Sequence, residues 1–514
     1  GSPTTTQPRW APVLGGVAAA CALGGCSDPA DSEPIVEDAA PGAAGIGDPL
    51  FPTLGNGGYD VSRYQLALRY ATSAPTQPLQ GALTMVATAT QSLSQFHLDF
   101  AGDSVGRIEV DGRDATVVRE GEELVITPAR PIGKGQSFRV EIEQFAATPR
   151  TPDPMVLLGA PFFRAADGSG WVGQPNAAHQ IYPCNDHPSD KASFAFSIDV
   201  PEGTVAVASG VLTGQSTANG RTTWSYEQEE PMATELAQVA VGAQTVIDRG
   251  ERAGVLVRDV VPTRLVADVE PKLALELTQL DWMTAQVGPY PFRTYGSLLV
   301  DARLGFAFES QTLSLYDSER FAVADQRYAG VMMHELAHQW FGNSVAPARW
   351  ADVWLNEGHA TWYETLYRFQ ADPALLIARM KQVYEIGDEL RAASGPVASP
   401  REGTPRALFN SNVYVGGALV LFALRQQVGV ATFEAIERAW AERYRGRSAS
   451  TADYIALASE TAAQDLTPFL TSWLYALTTP PMPGFPDWTV RPPGSAIATA
   501  AAVAALPDIS CKRP

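Results

Sequence analysis

Two histidines four residues apart, with a carboxylate nineteen residues further on, restrict this chain more than any other feature. They are His334 and His338 in VMMHELAHQWFGN (331–343) and Glu357 in WADVWLNEGHATWYE (350–364). At 3.6 residues per turn, His334 and His338 share one helix face, one turn apart. Gly342 and Asn343 are helix stop signals, and Asp352 is placed to cap a following helix. The predicted geometry is helix, turn and returning helix, with Glu357 facing the imidazole pair. Two imidazoles and a carboxylate make three ligands of a zinc ion that keeps a fourth position open. Glu335 sits beside the pair and reaches the same point without ligating, as a general base would. Two histidines buried on an apolar face without a metal would leave costly polar nitrogens.

Other residues near the motif follow from helix spacing. Glu364 lies seven residues after Glu357, on the same face, where it could orient a ligating histidine from behind. The alternative for Glu364 is an exposed helix carboxylate. His359 falls on roughly the opposite face and reads as structural, as do His97, His179 and His187 in the preceding region.

The rest of the chain divides by pattern. With 45% hydrophobic and 18% charged residues, the composition is globular and excludes a disordered or fibrous chain. Residues 48–247 read as a β domain. In YDVSRYQLALRY (59–70), Tyr64, Leu66, Leu68 and Tyr70 alternate with polar neighbours, and similar runs lie near 81–90, 96–100, 106–110, 122–128, 137–143, 191–200 and 204–213. Residues 248–480 turn helical, with helices expected at 269–287, 325–341, 353–370, 411–428, 431–444, 451–460 and 466–476 and strands at 254–260, 296–301 and near 305–315. A Pro- and Ala-rich tail is expected over 481–514. The fold class is α+β multidomain.

Charge and the N-terminal residues bear on compartment. Lys+Arg 37 against Asp+Glu 56 leaves a net charge of −19, which repels nucleic acid phosphates and anionic lipid headgroups. Nucleic acid is therefore excluded as a first partner. Arg9, the apolar run APVLGGVAAACALGG (11–25) and Cys26 predict a lipoprotein-type signal peptide over 1–25, too short to span a bilayer. LGGC resembles a bacterial lipoprotein cleavage site, so Cys26 is expected to carry a lipid anchor as the only membrane contact. The expected location is the cell surface or periplasm. Residues 26–47 are acidic and Pro/Ala/Gly-rich, as in a flexible tether. An exported compartment would permit a Cys184–Cys511 disulfide, but isolated buried or free thiols are the favoured expectation.

HELAH, the eighteen-residue gap and NEGHA together resemble the M1 family of zinc aminopeptidases, which includes aminopeptidase N and leukotriene A4 hydrolase. DPLFPTLGNGGYDV (48–61), IYPCNDHPSDKASFAF (181–196) and PMATELAQVAVG (231–242) are also similar to family segments. The resemblance implies an N-terminal antiparallel β-sheet domain followed by an α-rich thermolysin-like catalytic domain. It implies one Zn²⁺ held by His334, His338 and Glu357, with Glu335 as general base and peptides with a free N-terminal amine as substrates.

Three further residues follow from the family pattern. Phe306-Ala307-Phe308-Glu309-Ser310 aligns with a Gly-x-Met-Glu-Asn strand, which makes Glu309 the amine anchor although Gly, Met and Asn are replaced. Tyr414-Val415-Gly416-Gly417-Ala418 aligns with Tyr-x-Lys-Gly-Ala, which makes Tyr414 the transition-state tyrosine with Gly416 where the family has Lys. A substrate-contacting Gln of the family falls near Gln174, while the alignment puts Val172 at that position. Larger members carry a C-terminal helical domain, and a short form without it is expected here, since few residues follow 480. The alternatives are a zinc endopeptidase and a non-catalytic binding protein on the same fold.

Overall fold

The computed structural model describes residues 36–150, 161–322, 327–494 and 501. The leader, residues 26–35 of the tether with Cys26, and Cys511 lie outside the described residues. Cys184 is buried.

Alternation builds the β region. In Tyr59–Arg69 every second residue from Tyr64 to Leu68 points inward, and the strand pairs antiparallel with Leu79–Ala89 and parallel with Ala192–Pro201. These strands form the centre of a nine-stranded sheet whose edges include Val211–Ala218 and Arg113–Asp114. Two four-stranded sheets flank it. One is built on Leu93–Asp99 and Glu123–Thr127, the other on Gly168–Val172 and Gln238–Gly242. Ala40–Pro41 pairs with Leu93–Asp99, so the segment expected to be a free tether up to 47 is tied to the sheet at Ala40 and Pro41. Strands 221–232 and 238–242 were absent from the expectation; the first is joined to Val211–Ala218 through Asn219 and Gly220, both at positive φ, and the second pairs with the distant strand Gly168–Val172.

The second region opens with a hairpin. Gln244–Arg252 and Val255–Pro262 are joined by Ala253 and Gly254, both at positive φ, as a two-residue turn needs. Ser297–Val300 and Ser314–Asp317 add parallel strands to this five-stranded sheet. Helices then pack around a core that includes Trp354, Trp362, Trp440 and Phe422. Pro405–Val428 is long and apolar enough to cross a bilayer by composition, yet 89% of its most apolar window is buried inside. It is a core element. Helices Pro373–Glu385 and Gly387–Ser394 were not among those expected. Asp372 caps the first through Ala374 N, but exposed Leu375 and Ile377 blur its apolar stripe. Residues 481–491 also depart from a free tail, because Trp488 stacks on Phe485 and Phe422, and Arg491 N donates to Glu385 O.

The β region holds a buried ionic cluster. His179 Nδ1 lies 2.7 Å from Asp186, and Nε2 lies 3.4 Å from Glu122. Burial pulls the imidazole down, but bonds to Asp186 and Glu122 outweigh it and push it up to about 10. Burial also raises Asp99 and Glu123; the Asp186 charge adds to the rise of Asp99, and Asp99 adds to the rise of Glu123. For His179 the folded state holds a proton that the unfolded chain releases near 6.5. Its stabilisation is therefore complete below that pH and is lost as pH rises through about 10. We predict that the stability difference between wild type and His179→Gln shrinks as pH rises from 6.5 to 10, measured by denaturant unfolding. A difference that grows over this window would exclude a protonated His179.

Candidate metal centre and active site

The motif helix, Arg327–Ala337, carries His334 and Glu335, and His338 continues its last turn through its amide bond to His334 O. Gly342, at φ +117°, reverses the chain with its Cα against Asn356. A side chain there would be strained and would meet that amide. The return helix, Trp354–Arg368, places Glu357 in its first turn. The expected Asp352 cap is not formed. Val353 precedes the helix without a side-chain cap, and Asp352 instead accepts bonds from Thr451 N and Oγ1 at 3.0 and 2.6 Å. Sequence spacing could not show that acceptor role, because Thr451 lies 99 residues away.

Hydrogen bonding decides which nitrogens face the centre. His338 Nδ1 is 3.1 Å from Phe341 O, and a carbonyl only accepts, so Nδ1 carries the hydrogen. His334 Nδ1 is likewise 3.1 Å from the Glu364 carboxylate. Both Nε2 atoms are then lone pairs, and they lie 3.2 and 3.1 Å from the same Glu357 oxygen, Oε2. His338 Nε2 is buried without a hydrogen bond. Three acceptors converge within 4.8 Å of one another, an arrangement that repels unless a cation sits among them. Burial opposes charge on His338, but Glu309 and Glu357 raise it overall, so the pocket favours positive charge. Two imidazoles and one carboxylate with histidines oriented from behind are a fitting donor set for zinc.

The other predicted residues gather at this point. Carboxylate oxygens of Glu309 and Glu335 and a ring nitrogen of His338 lie within 4.8 Å of one another, all on buried residues. Glu309 belongs to an extended segment, not a regular strand, tied by an isolated bridge between Phe308 and Leu315. Its carbonyl accepts from Asn343 Nδ2 at 2.7 Å, and Lys191 Nζ holds Asn343 O and Ser344 O at 2.8 and 2.7 Å. Gln174 Nε2 donates to Glu309 Oε1 at 2.6 Å. The alignment on Val172 is thus corrected. Val172 ends the strand Gly168–Val172 and packs into the β core, whereas Gln174, two residues beyond the strand, reaches the site. Glu364 also bonds Arg368 at 3.2 Å and is buried rather than an exposed helix carboxylate.

Tyr414 sits on a π-helical turn, Asn412–Gly416, before the helix Gly417–Val428, with its ring stacked on His334 at 5.9 Å. Gly416 stands where the resemblance has lysine, and a Cβ there would lie 2.0 Å from Asn412 Oδ1, so that the Asn412 side chain would have to move. Asn412 in turn donates to Gly395 O. Gly358, next to Glu357, meets Gly417 backbone to backbone, where a Cβ would be 2.9 Å from Gly417 Cα. The ligand helix and the tyrosine turn are therefore in direct register. His359 faces away, stacked on Phe341 and bonded to Glu437 at 3.2 Å. His179 and His187 bond Asp186 and Asp48, and His97 lies 3.8 Å from Glu123. Glu235, Lys191 and Asn343 were missed because each acts across a long sequence separation without a spacing signal.

Comparison with known proteins matches this geometry. The Peptidase family M1 domain model covers residues 274–473, and the Peptidase M1 N-terminal domain model covers 61–236. The crystal structure of an M1 zinc metallopeptidase from Deinococcus radiodurans is similar at 30% identity and TM-score 0.75, covering 85% of this chain and 99% of that one. A mutant of that enzyme bound to a Tyr-Ser-Ala substrate is similar at TM-score 0.73. Aminopeptidase M1-A of Oryza sativa subsp. japonica is 31% identical over 317 residues, 58% of this chain and 36% of that protein. Leucyl aminopeptidase of Saccharolobus solfataricus is 24% identical over 438 residues, 76% of this chain and 53% of that protein. The chain thus spans about a third to a half of the length of these two relatives. Since the two family models match in order, the second of them across the His334–His338–Glu357 cluster, and the Deinococcus radiodurans structure is matched almost end to end, the chain belongs to peptidase family M1.

Proposed function

We propose that the protein is a zinc-dependent aminopeptidase that releases the N-terminal residue of peptides. One observation carries this reading: the buried Glu309 carboxylate lies beside the triad of donor atoms. A zinc ion held by His334, His338 and Glu357 supplies Lewis-acid polarisation of a carbonyl and a water molecule. Glu335 takes the proton of the attacking water and returns it to the leaving amine. The Tyr414 hydroxyl donates to the oxyanion that develops on the scissile carbonyl. Glu309 accepts from the substrate ammonium, which sets the register so that the first peptide bond meets Glu335. Glu364 and Phe341 O hold the two imidazoles in the tautomer that leaves Nε2 toward Glu357.

Aminoacyl chromogenic substrates test the reading. Wild type is expected to cleave them, to lose activity to a chelator, to regain it with zinc, and to leave N-acetylated analogues uncut. Glu309→Ala should weaken cleavage of free-amine substrates by about 10–150-fold, the loss of one charged hydrogen bond, without harming acetylated ones. Equal cleavage of both substrates by wild type would leave an endopeptidase.

We further infer that the protein is exported and lipid-anchored through Cys26. Arg9, the apolar run at 11–25 and LGGC support this. Mass spectrometry of the protein from its native cells is expected to find a chain that begins at acylated Cys26. An unprocessed leader would contradict export.

A further inference from the structure

One buried carboxylate at the site has no part in the reaction described above. Glu235 lies on the short turn Thr234–Leu236, between the strands Arg221–Met232 and Gln238–Gly242. Its Oε2 accepts from Gln174 Nε2 at 2.9 Å, and the same nitrogen donates to Glu309 Oε1 at 2.6 Å. Glu235 and Glu309 are each 1% exposed and Gln174 is 7% exposed.

An amide nitrogen has two hydrogens, and here both are directed to carboxylates. Rotating the Gln174 amide by half a turn would set its oxygen against two carboxylate oxygens, away from water. Glu235 supplies the second acceptor, which makes the orientation single-valued.

The turn that carries Glu235 is itself anchored at both ends. Thr234 Oγ1 donates to Asp186 at 2.7 Å, and Ser310 Oγ donates to Leu236 O at 2.8 Å. Ser310 directly follows Glu309, so the two carboxylates are held in one frame. Lys191, which pins the Asn343 turn beneath Glu309, feels the Glu235 charge as well.

We propose that Glu235 is a positioning residue of the amine subsite: it locks the Gln174 amide and thereby fixes the Glu309 carboxylate that receives a primary ammonium. This rests on the aminopeptidase reading. It adds a residue to recognition of the substrate's amine and leaves the reacting carbonyl to Glu335 and Tyr414.

The test uses two competitive inhibitors of the zinc-loaded protein, an amino acid hydroxamate and the same hydroxamate without its amine. Wild type is expected to bind the amine-bearing compound more tightly. Glu235→Ala should cut that preference by about 10-fold or more, on the scale of one lost charge-assisted bond, while the inhibition constant of the des-amino compound stays within about twofold. Glu235→Gln keeps an acceptor oxygen of the same reach and should restore the preference. If wild type shows no preference for the amine, the aminopeptidase reading fails. If wild type prefers it and Glu235→Ala keeps the full preference, the positioning role fails. A parallel loss of both inhibitors would make Glu235 merely structural and overturn the proposal, as would a Glu235→Gln protein that behaves like Glu235→Ala.

Discussion

Replacing Glu335 by glutamine is expected to lower turnover by about 10²–10⁴-fold, the range of positioned acid–base catalysis, while the metal stays bound. The reasoning is geometric. Glu335 is fully buried beside the site, and its carboxylate oxygen lies within 4.8 Å of atoms from Glu309 and His338. It is not one of the three atoms that converge on the metal position, which come from His334, His338 and Glu357. Glutamine keeps the volume and most of the polarity but cannot take up a proton. Metal content should therefore match wild type by elemental analysis, and binding of the amine should be retained through Glu309. Turnover within threefold of wild type would remove Glu335 from the reaction. Loss of the metal would instead place it among the ligands.

Tyr414→Phe should cost about 10²–10³-fold in kcat, the usual effect of losing one donor to a developing oxyanion, with KM little changed. The phenyl ring remains, so the stacking on His334 at 5.9 Å persists and the π-helical turn keeps its packing. Only the hydroxyl is lost. Because Gly358 and Gly417 bring the ligand helix and the tyrosine turn into backbone contact, the hydroxyl is held by the same frame as Glu357. Thermal unfolding of the variant is expected to resemble wild type, which separates a catalytic loss from a folding one. A variant whose kcat falls less than threefold would assign Tyr414 to packing.

Much of the site can be read without coordinates because it is local. His334 and His338 lie one helical turn apart with Glu335 beside them, and Glu357 and Glu364 lie two turns apart, so 3.6-residue periodicity alone puts each pair on a face. The alternation from Tyr59 to Tyr70 likewise settles a strand and its buried side. Helix Pro373–Glu385 was less legible because exposed apolar residues hide its stripe. The segment at 40–43 shows no pattern by itself, since its backbone partners are Leu93 and Gln95.

Residue types and short spacings by themselves pointed to a metal-binding helix pair with a β region before it, whereas Glu309 as the amine carboxylate came from the family resemblance alone. Those properties rest on contacts within a few turns or on alternation along one strand. Tertiary structure alone decided that Gln174 and not Val172 reaches Glu309, across 135 residues, and that Glu235 closes the same amide from 61 residues away. It also decided that Asp352 serves Thr451 and that Lys191 braces the Asn343 turn. The reason is physical: a hydrogen bond between distant segments depends on where packing brings two backbones together, and no periodicity within either segment encodes that distance.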